Sequence, residues 1–377
     1  MRMRRFIPYL GIAAGLIFYL FAVAVVNEAS QLTPPATGVG TEPITISPVP
    51  AVSSPPPADE SLAEKKQDES IQPQPKVPPT AAPISAPVSA PAEPQSSPAV
   101  DNAKLDAAAA ALRAAIVNII CYAPAGSPIH SISGSGVFIE PKGIILTNAH
   151  IAQYFLLADR NVTCTIRAGD PAVDRYKAAL VYISPAWLNA NPSVLTQTNP
   201  SGTGEYDFAL LAVSRSVNTT PLPSAFPSIP LAVSPPPTKT PVVIATYGAQ
   251  FLESSQIQSS LFPTVVFGSV KDVFTFATNT IDVLALGGSA AAQEGSSGGG
   301  VANSDGRLVG VITTSTTKGT TDTRALDAIT ASYIRAAYAS ETGRALDLLL
   351  NQPTAASIAD FAQKIPELEA IITANLP

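Results

Sequence analysis

The 377-residue chain holds only two cysteines, two histidines, two methionines and one tryptophan. With so few soft ligands, a Cys/His zinc site with normal ligand count and spacing cannot be assembled. Charged residues make up 13% of the chain and the net charge is −6, with no large basic block beyond the N-terminus. Phosphate recognition needs clustered Lys and Arg, so no nucleic-acid partner is expected. Residues 31–100 lack aromatic side chains and carry 17 of the 37 prolines. Such a segment cannot bury enough apolar surface to offset the entropy of ordering it.

These absences divide the chain. Residues 1–5 hold three arginines, and residues 6–26 follow without a charge. As a helix, that run would span about 32 Å, the thickness of a bilayer core. Arginines on its N-terminal side place residues 1–5 in the cytoplasm and everything after residue 26 outside it. A cleaved signal peptide is the competing reading. The run is longer than the roughly 7–15 residues of a signal-peptide core, and no clear cleavage site follows, which favours an uncleaved signal-anchor. Gly11 and Gly15 form a GxxxG pair of the kind that brings membrane helices together into an oligomer, though small residues at such positions are often no more than packing. Residues 27–100 read as a disordered Pro/Ala/Ser-rich tether.

The remainder, 101–340, is long enough for a sizeable core. An Ala- and Leu-rich run over 104–115 predicts a helix capped by Asp101 or Asn102. The pattern then changes to short strands: 116–122, 136–139, 144–147, 162–168, 176–183 and 208–213. A short helix is expected over 151–158. After a proline-rich connector at 220–237, strand-like runs resume at 242–247, 264–270, 273–276, 281–286, 308–314 and 325–329. Two sets of six short strands predict an all-β core of two tandem six-stranded antiparallel barrels, about 116–215 and 240–330. Helices follow from residue 332, and 341–377 form a helical tail.

Three stretches carry chemistry. Glu294-Gly295-Ser296-Ser297-Gly298-Gly299-Gly300-Val301 sets a serine among glycines just before a hydrophobic strand. Alone, such a run reads as a flexible linker. It can equally present a hydroxyl beside free backbone N–H groups, as a nucleophile with an oxyanion hole requires. Thr147-Asn148-Ala149-His150 puts a histidine at a strand end, where a general base needs to be fixed. His130 reads as a structural loop residue. Tyr206-Asp207-Phe208-Ala209-Leu210-Leu211 puts an acid at the start of an apolar strand, placed to orient an imidazole.

Taken in the order His, Asp, Ser, these motifs resemble the trypsin-like (chymotrypsin-fold) serine proteases. With Gly134-Ser135-Gly136-Val137 upstream, the likeness is greatest to the bacterial HtrA-type branch. The resemblance covers about residues 116–335. It implies Ser297 as nucleophile, His150 as general base, Asp207 as its orienting acid, and the N–H groups of Gly295 and Ser297 as the oxyanion hole. It implies polypeptide substrates and an acyl-enzyme, with no metal or organic cofactor. Ser296 stands where animal trypsins have an acid that receives a new N-terminus, so no trypsin-style activation step is expected. The short stretch after Ala337 leaves no room for the peptide-binding PDZ domain usual in the HtrA branch.

In the family, the floor of the primary specificity pocket lies six residues before the nucleophile, here Ala291. Glu294 is expected at the pocket rim. An uncharged floor predicts cleavage after small or medium apolar residues, since a buried Lys or Arg would go unpaired. Cys121 and Cys164 fall in predicted strands of the first barrel and are expected to form a disulfide in an oxidising compartment, the alternative being two small buried thiols. The whole reads as a membrane-tethered extracytoplasmic serine endopeptidase. The alternative is an inactive protease-fold binding module displayed on a membrane stalk.

Overall fold

The computed structural model describes residues 102–197, 202–276, 279–315 and 318–376. The expected membrane helix at 6–26, with Gly11 and Gly15, and the linker at 27–100 lie outside the described residues. Among the described residues no helix is long and apolar enough to cross a membrane.

The chain enters through a helix, α1 (Asn102–Ala115), as its composition predicts. Leu105, Ala108, Leu112 and Ala115 recur at helical spacing and are all buried. Six strands follow and close into the first barrel: β1 (Ile116–Tyr122), β2 (Ile132–Glu140), β3 (Ile144–Thr147), β4 (Thr163–Ala168), β5 (Val173–Ile183) and β6 (Ala209–Ser216). Their order around the barrel is β1-β2-β3-β6-β5-β4. A short helix, α2 (Ala149–Ala152), runs on into 3-10 turns over Gln153–Arg160, where a single helix at 151–158 was expected. A second short helix, α3 (Pro185–Ala190), has Pro185 in its first turn and Ser184 accepting the Trp187 N–H as N-cap.

Successive residues of β1, Ile116 to Cys121, are buried on both faces. A strand with one wet face would alternate, so β1 is covered on both sides. Each such Ile or Val side chain, fully removed from water, contributes about 1.5–3 kcal/mol. Cys121 and Cys164 face each other across the β1–β4 pair and form the expected disulfide.

The proline-rich connector is irregular, since proline cannot donate to a ladder. It nonetheless clings to both halves: Ile229 N–H bonds Phe138 O at 2.9 Å, and Ala232 N–H bonds Leu308 O at 2.8 Å. The second half comprises β7 (Pro241–Thr246), helix α4 (Ser254–Ser259), β8 (Thr264–Ser269), β9 (Asp272–Phe274), β10 (Val283–Ala285), β11 (Gly300–Asn303), β12 (Leu308–Ser315) and β13 (Leu326–Thr330). These strands form one seven-stranded sheet, β8-β7-β11-β12-β13-β10-β9, whose two edges do not pair. This corrects the expectation of a second six-stranded closed barrel. The additional strand is β11, only the four residues Gly-Val-Ala-Asn directly after Gly298-Gly299, too short to stand out in the sequence; it pairs with β7 on one side and β12 on the other.

Four helices complete the chain: α5 (Ala331–Thr342), α6 (Leu346–Asn351), α7 (Thr354–Ala362) and α8 (Ile365–Thr373). They are not a detached tail. Helix α7 packs on β5 and β6 of the first barrel, while α1, from the other end, packs on β7 and β11 of the second sheet.

Candidate active site

Cross-strand register brings His150 and Asp207 together. β3 and β6 run antiparallel with Thr147 opposite Ala209. β3 leaves that end into α2, which carries His150, and β6 enters at the same end directly after Asp207. His150 Nδ1 lies 2.7 Å from Asp207 Oδ2, and the His150 backbone N–H donates to Oδ1 at 2.9 Å. The hydroxyl of Thr313, on β12 of the second sheet, donates to Oδ2 at 2.8 Å. Asp207 is only 5% exposed, so its charge is compensated by these three donors and not by water. A hydrogen bond to a charged group is worth about 1.5–3 kcal/mol. A carboxylate on Nδ1 keeps the ring proton there and leaves Nε2 as the acceptor.

The rest of the histidine motif is explained by the same contacts. Asn148 Nδ2 donates to Asp207 O at 2.8 Å, and Thr147 Oγ1 donates to Ser135 O at 2.7 Å. Both side chains are fully buried.

The serine loop is held by Ser135 of β2. Ser135 N–H donates to Ser297 O at 2.7 Å. Its hydroxyl donates to Gly295 O at 2.8 Å and accepts the Tyr247 N–H at 2.8 Å. One first-barrel residue therefore fixes the loop on both sides of Ser296. The loop needs glycine at two positions. Gly295 has φ +89° and Gly298 has φ +82°. A Cβ on Gly298 would sit 1.9 Å from Ser135 O, and one on Gly295 would sit 2.7 Å from Tyr247 O. Among the described residues, the N–H groups of Gly295 and Ser297 donate to no protein acceptor, although their neighbours Ser296, Gly298 and Gly299 all do.

His150, Asp207, Thr313, Gly295 and Ser297 all border one cleft of about 790 Å³. Among the described residues no hydrogen bond joins the Ser297 hydroxyl to the His150 ring. Glu294 is exposed on the cleft wall, as expected of a rim residue. Ala291 is not on that wall: it is fully buried among apolar residues of the second core. Behind this segment lies the buried Arg324, whose guanidinium donates to Ala292 O at 2.8 Å and to Gln250 Oε1 at 2.6 Å.

His130, read as a structural loop residue, borders the cleft, and its carbonyl accepts the Tyr154 hydroxyl at 2.6 Å. Burial pushes the Tyr154 phenol up to about 12. Sequence reasoning missed two other residues. Thr313 was hidden inside an ordinary strand pattern, and Ser135 in a glycine-serine run. Among the described residues no group of three or more His, Cys, Asp or Glu side chains converges as metal ligands do.

No curated protein matches the chain significantly. Among solved structures, the chain is similar to the Rv3671c protease from M. tuberculosis. The active form is 21% identical, with 70% of this chain and 95% of that chain covered and a TM-score of 0.41. An inactive form is 20% identical, with 65% of this chain and 96% of that chain covered and a TM-score of 0.40. Residues 134–311, which span all three motifs, match the family model of the trypsin-like peptidase domain. The chain carries a trypsin-like peptidase domain and is a serine peptidase.

Proposed function

We propose that the protein is a membrane-tethered extracytoplasmic endopeptidase in which Ser297, His150 and Asp207 act together through an acyl-enzyme. The observation that carries this reading is a buried Asp207 bonded to a half-buried His150, the pair bordering the same cleft as Ser297, next to two undonated backbone N–H groups. His150 Nε2 takes the Ser297 proton as Oγ attacks the substrate carbonyl. The N–H groups of Gly295 and Ser297 receive the developing oxyanion. Asp207, held by Thr313, stabilises the imidazolium, which returns its proton to the leaving amine. Water then repeats the sequence in reverse to release the acyl group. Ser297→Ala and His150→Ala should each lower turnover on the order of a million-fold. Retention of near wild-type proteolysis by purified Ser297→Ala would overturn the assignment.

The proposal extends to specificity and placement. Ala291 and Ala292 are buried behind the cleft and the Arg324 guanidinium is bonded to Ala292 O, while residues 288–293 carry no acid that could pair with a basic side chain. Lacking such an acid, the segment before Ser297 disfavours Lys or Arg immediately before the cut and favours small or medium apolar residues. Acids on the cleft wall, Glu205 and Glu294, favour basic residues elsewhere in the peptide. A peptide library cleaved by the domain from about residue 101 reads out both preferences. The tether rests on the uncharged run at 6–26. External protease added to intact cells should shave the domain and leave a membrane-bound N-terminal stub.

A further inference from the structure

We propose that Tyr333, in the first turn of helix α5, is a positioning residue for Asp207, acting through the backbone of Tyr206. The inference rests on Asp207 being the acid that orients His150.

Tyr206 immediately precedes Asp207 and has φ +56°, a left-handed conformation that a bulky non-glycine residue adopts only when its surroundings impose it. Two hydrogen bonds impose it here. The Tyr206 N–H donates to the Tyr333 hydroxyl at 2.9 Å, and the Tyr206 carbonyl accepts the Phe208 N–H at 2.8 Å. The Asp207 N–H is in turn fixed to Gly204 O at 3.1 Å. The chain thus turns sharply at Tyr206, and the turn aims the Asp207 carboxylate at His150. Of these bonds, only the one to Tyr333 comes from outside the loop.

Tyr333 is itself well anchored. Its ring packs against Phe276 at 5.0 Å and against Tyr206 at 6.1 Å between centroids. Its N–H donates to Thr330 Oγ1 at 3.0 Å, the N-cap of α5, and that hydroxyl donates to Ile281 O at 2.9 Å. The far end of α5 is fastened to the first barrel. Glu341 accepts from Ser184 Oγ at 2.9 Å, from Ala186 N–H at 3.0 Å and from the Tyr182 hydroxyl, and Tyr338 stacks edge-on against Tyr182 at 4.7 Å. Helix α5 is therefore a strut between the two halves, and Tyr333 is where the strut touches the loop of the acid. Burial raises the Tyr333 phenol, so the hydroxyl stays protonated at neutral pH.

The test is a kinetic cycle in the purified domain. Tyr333→Phe keeps the ring and removes the acceptor. It should lower kcat about 5-fold, with KM within 2-fold, as expected for losing one hydrogen bond of about 1 kcal/mol. In an Asp207→Asn background the same change should have no effect, because no carboxylate remains to aim. The downfield proton shared by His150 Nδ1 and Asp207 should shift or broaden in Tyr333→Phe. Tyr206→Phe retains both the N–H and the ring that packs on Tyr333, so it should keep kcat within 2-fold; this holds the proposal open to refutation even if Tyr333→Phe fails to fold. An unchanged kcat in Tyr333→Phe, an equal loss in the Asp207→Asn background, or a large loss in Tyr206→Phe would overturn it. If Asp207→Asn alone kept full activity, the triad reading would fail instead, which separates the two.

Discussion

Thr313→Val isolates a contact to Asp207 that crosses from the second sheet. Thr313 is 5% exposed, and its Oγ1 donates to Asp207 Oδ2 at 2.8 Å. Valine keeps the shape and deletes the donor, leaving the carboxylate with only the two bonds from His150. A hydrogen bond to a buried charge is worth about 1.5–3 kcal/mol, which corresponds to roughly 10- to 150-fold if all of it were expressed in the rate. Only the part that strengthens as the imidazolium forms counts toward kcat, because the bond exists in the free enzyme too. A fall of about 10-fold in kcat is therefore expected, with the remainder appearing as lost stability. Thr313→Ser restores a hydroxyl and should recover most of the rate. The assay is steady-state cleavage of a chromogenic peptide, with thermal unfolding of each variant in parallel. If Thr313→Val left both kcat and the melting temperature unchanged, the hydroxyl would have no role in holding the acid.

Other outcomes follow from the same contacts. Ser135→Ala removes a donor to Gly295 O and an acceptor for Tyr247 N–H; it should destabilise the fold by about 2–4 kcal/mol and slow turnover, both visible in parallel melts and kinetics. Gly298→Ala forces a Cβ to 1.9 Å from Ser135 O at φ +82°, so the purified variant should lack activity even where circular dichroism shows it folded. Burial pushes Tyr154 and Tyr247 both up to about 12. Their contribution is fully present below the unfolded value of about 10 and is lost as pH rises through about 12, so denaturant-measured stability should decline across that window by about 2–3 kcal/mol per tyrosine, and less in Tyr154→Phe. Reducing the Cys121–Cys164 disulfide, which joins residues 43 apart, should cost about 2–4 kcal/mol; an unchanged melting temperature in reductant would contradict this.

What could be read from the sequence was whatever rested on local pattern. β1 and β3 have the predicted bounds because their apolar runs end at turn residues. His150, Asp207 and Ser297 stood out because each sits where a strand starts or ends beside small or polar residues. What could not be read depends on pairing between distant segments. β11 is only four residues at the end of a glycine run, and its pairing with β7 and β12 is what marks it as a strand. Thr313 touches Asp207 only because β12 reaches across to the first barrel, and its neighbours in sequence give no sign of this. Ala291 was assigned by counting back from Ser297, and counting does not reveal that the loop folds it into the second core. The strut α5 reads as an ordinary helix until Tyr333 and Glu341 are seen to grip Tyr206 and Ser184 of the first half, while its N-cap Thr330 bonds Ile281 O of the second.

The most direct test of the central claim is covalent labelling of the purified domain with a fluorophosphonate, followed by peptide mapping. Only a serine activated by a neighbouring base and oxyanion hole reacts quickly with such a probe. One equivalent should be incorporated, on Ser297, and His150→Ala should abolish it. Label on another residue, or no label on folded protein, would contradict the account.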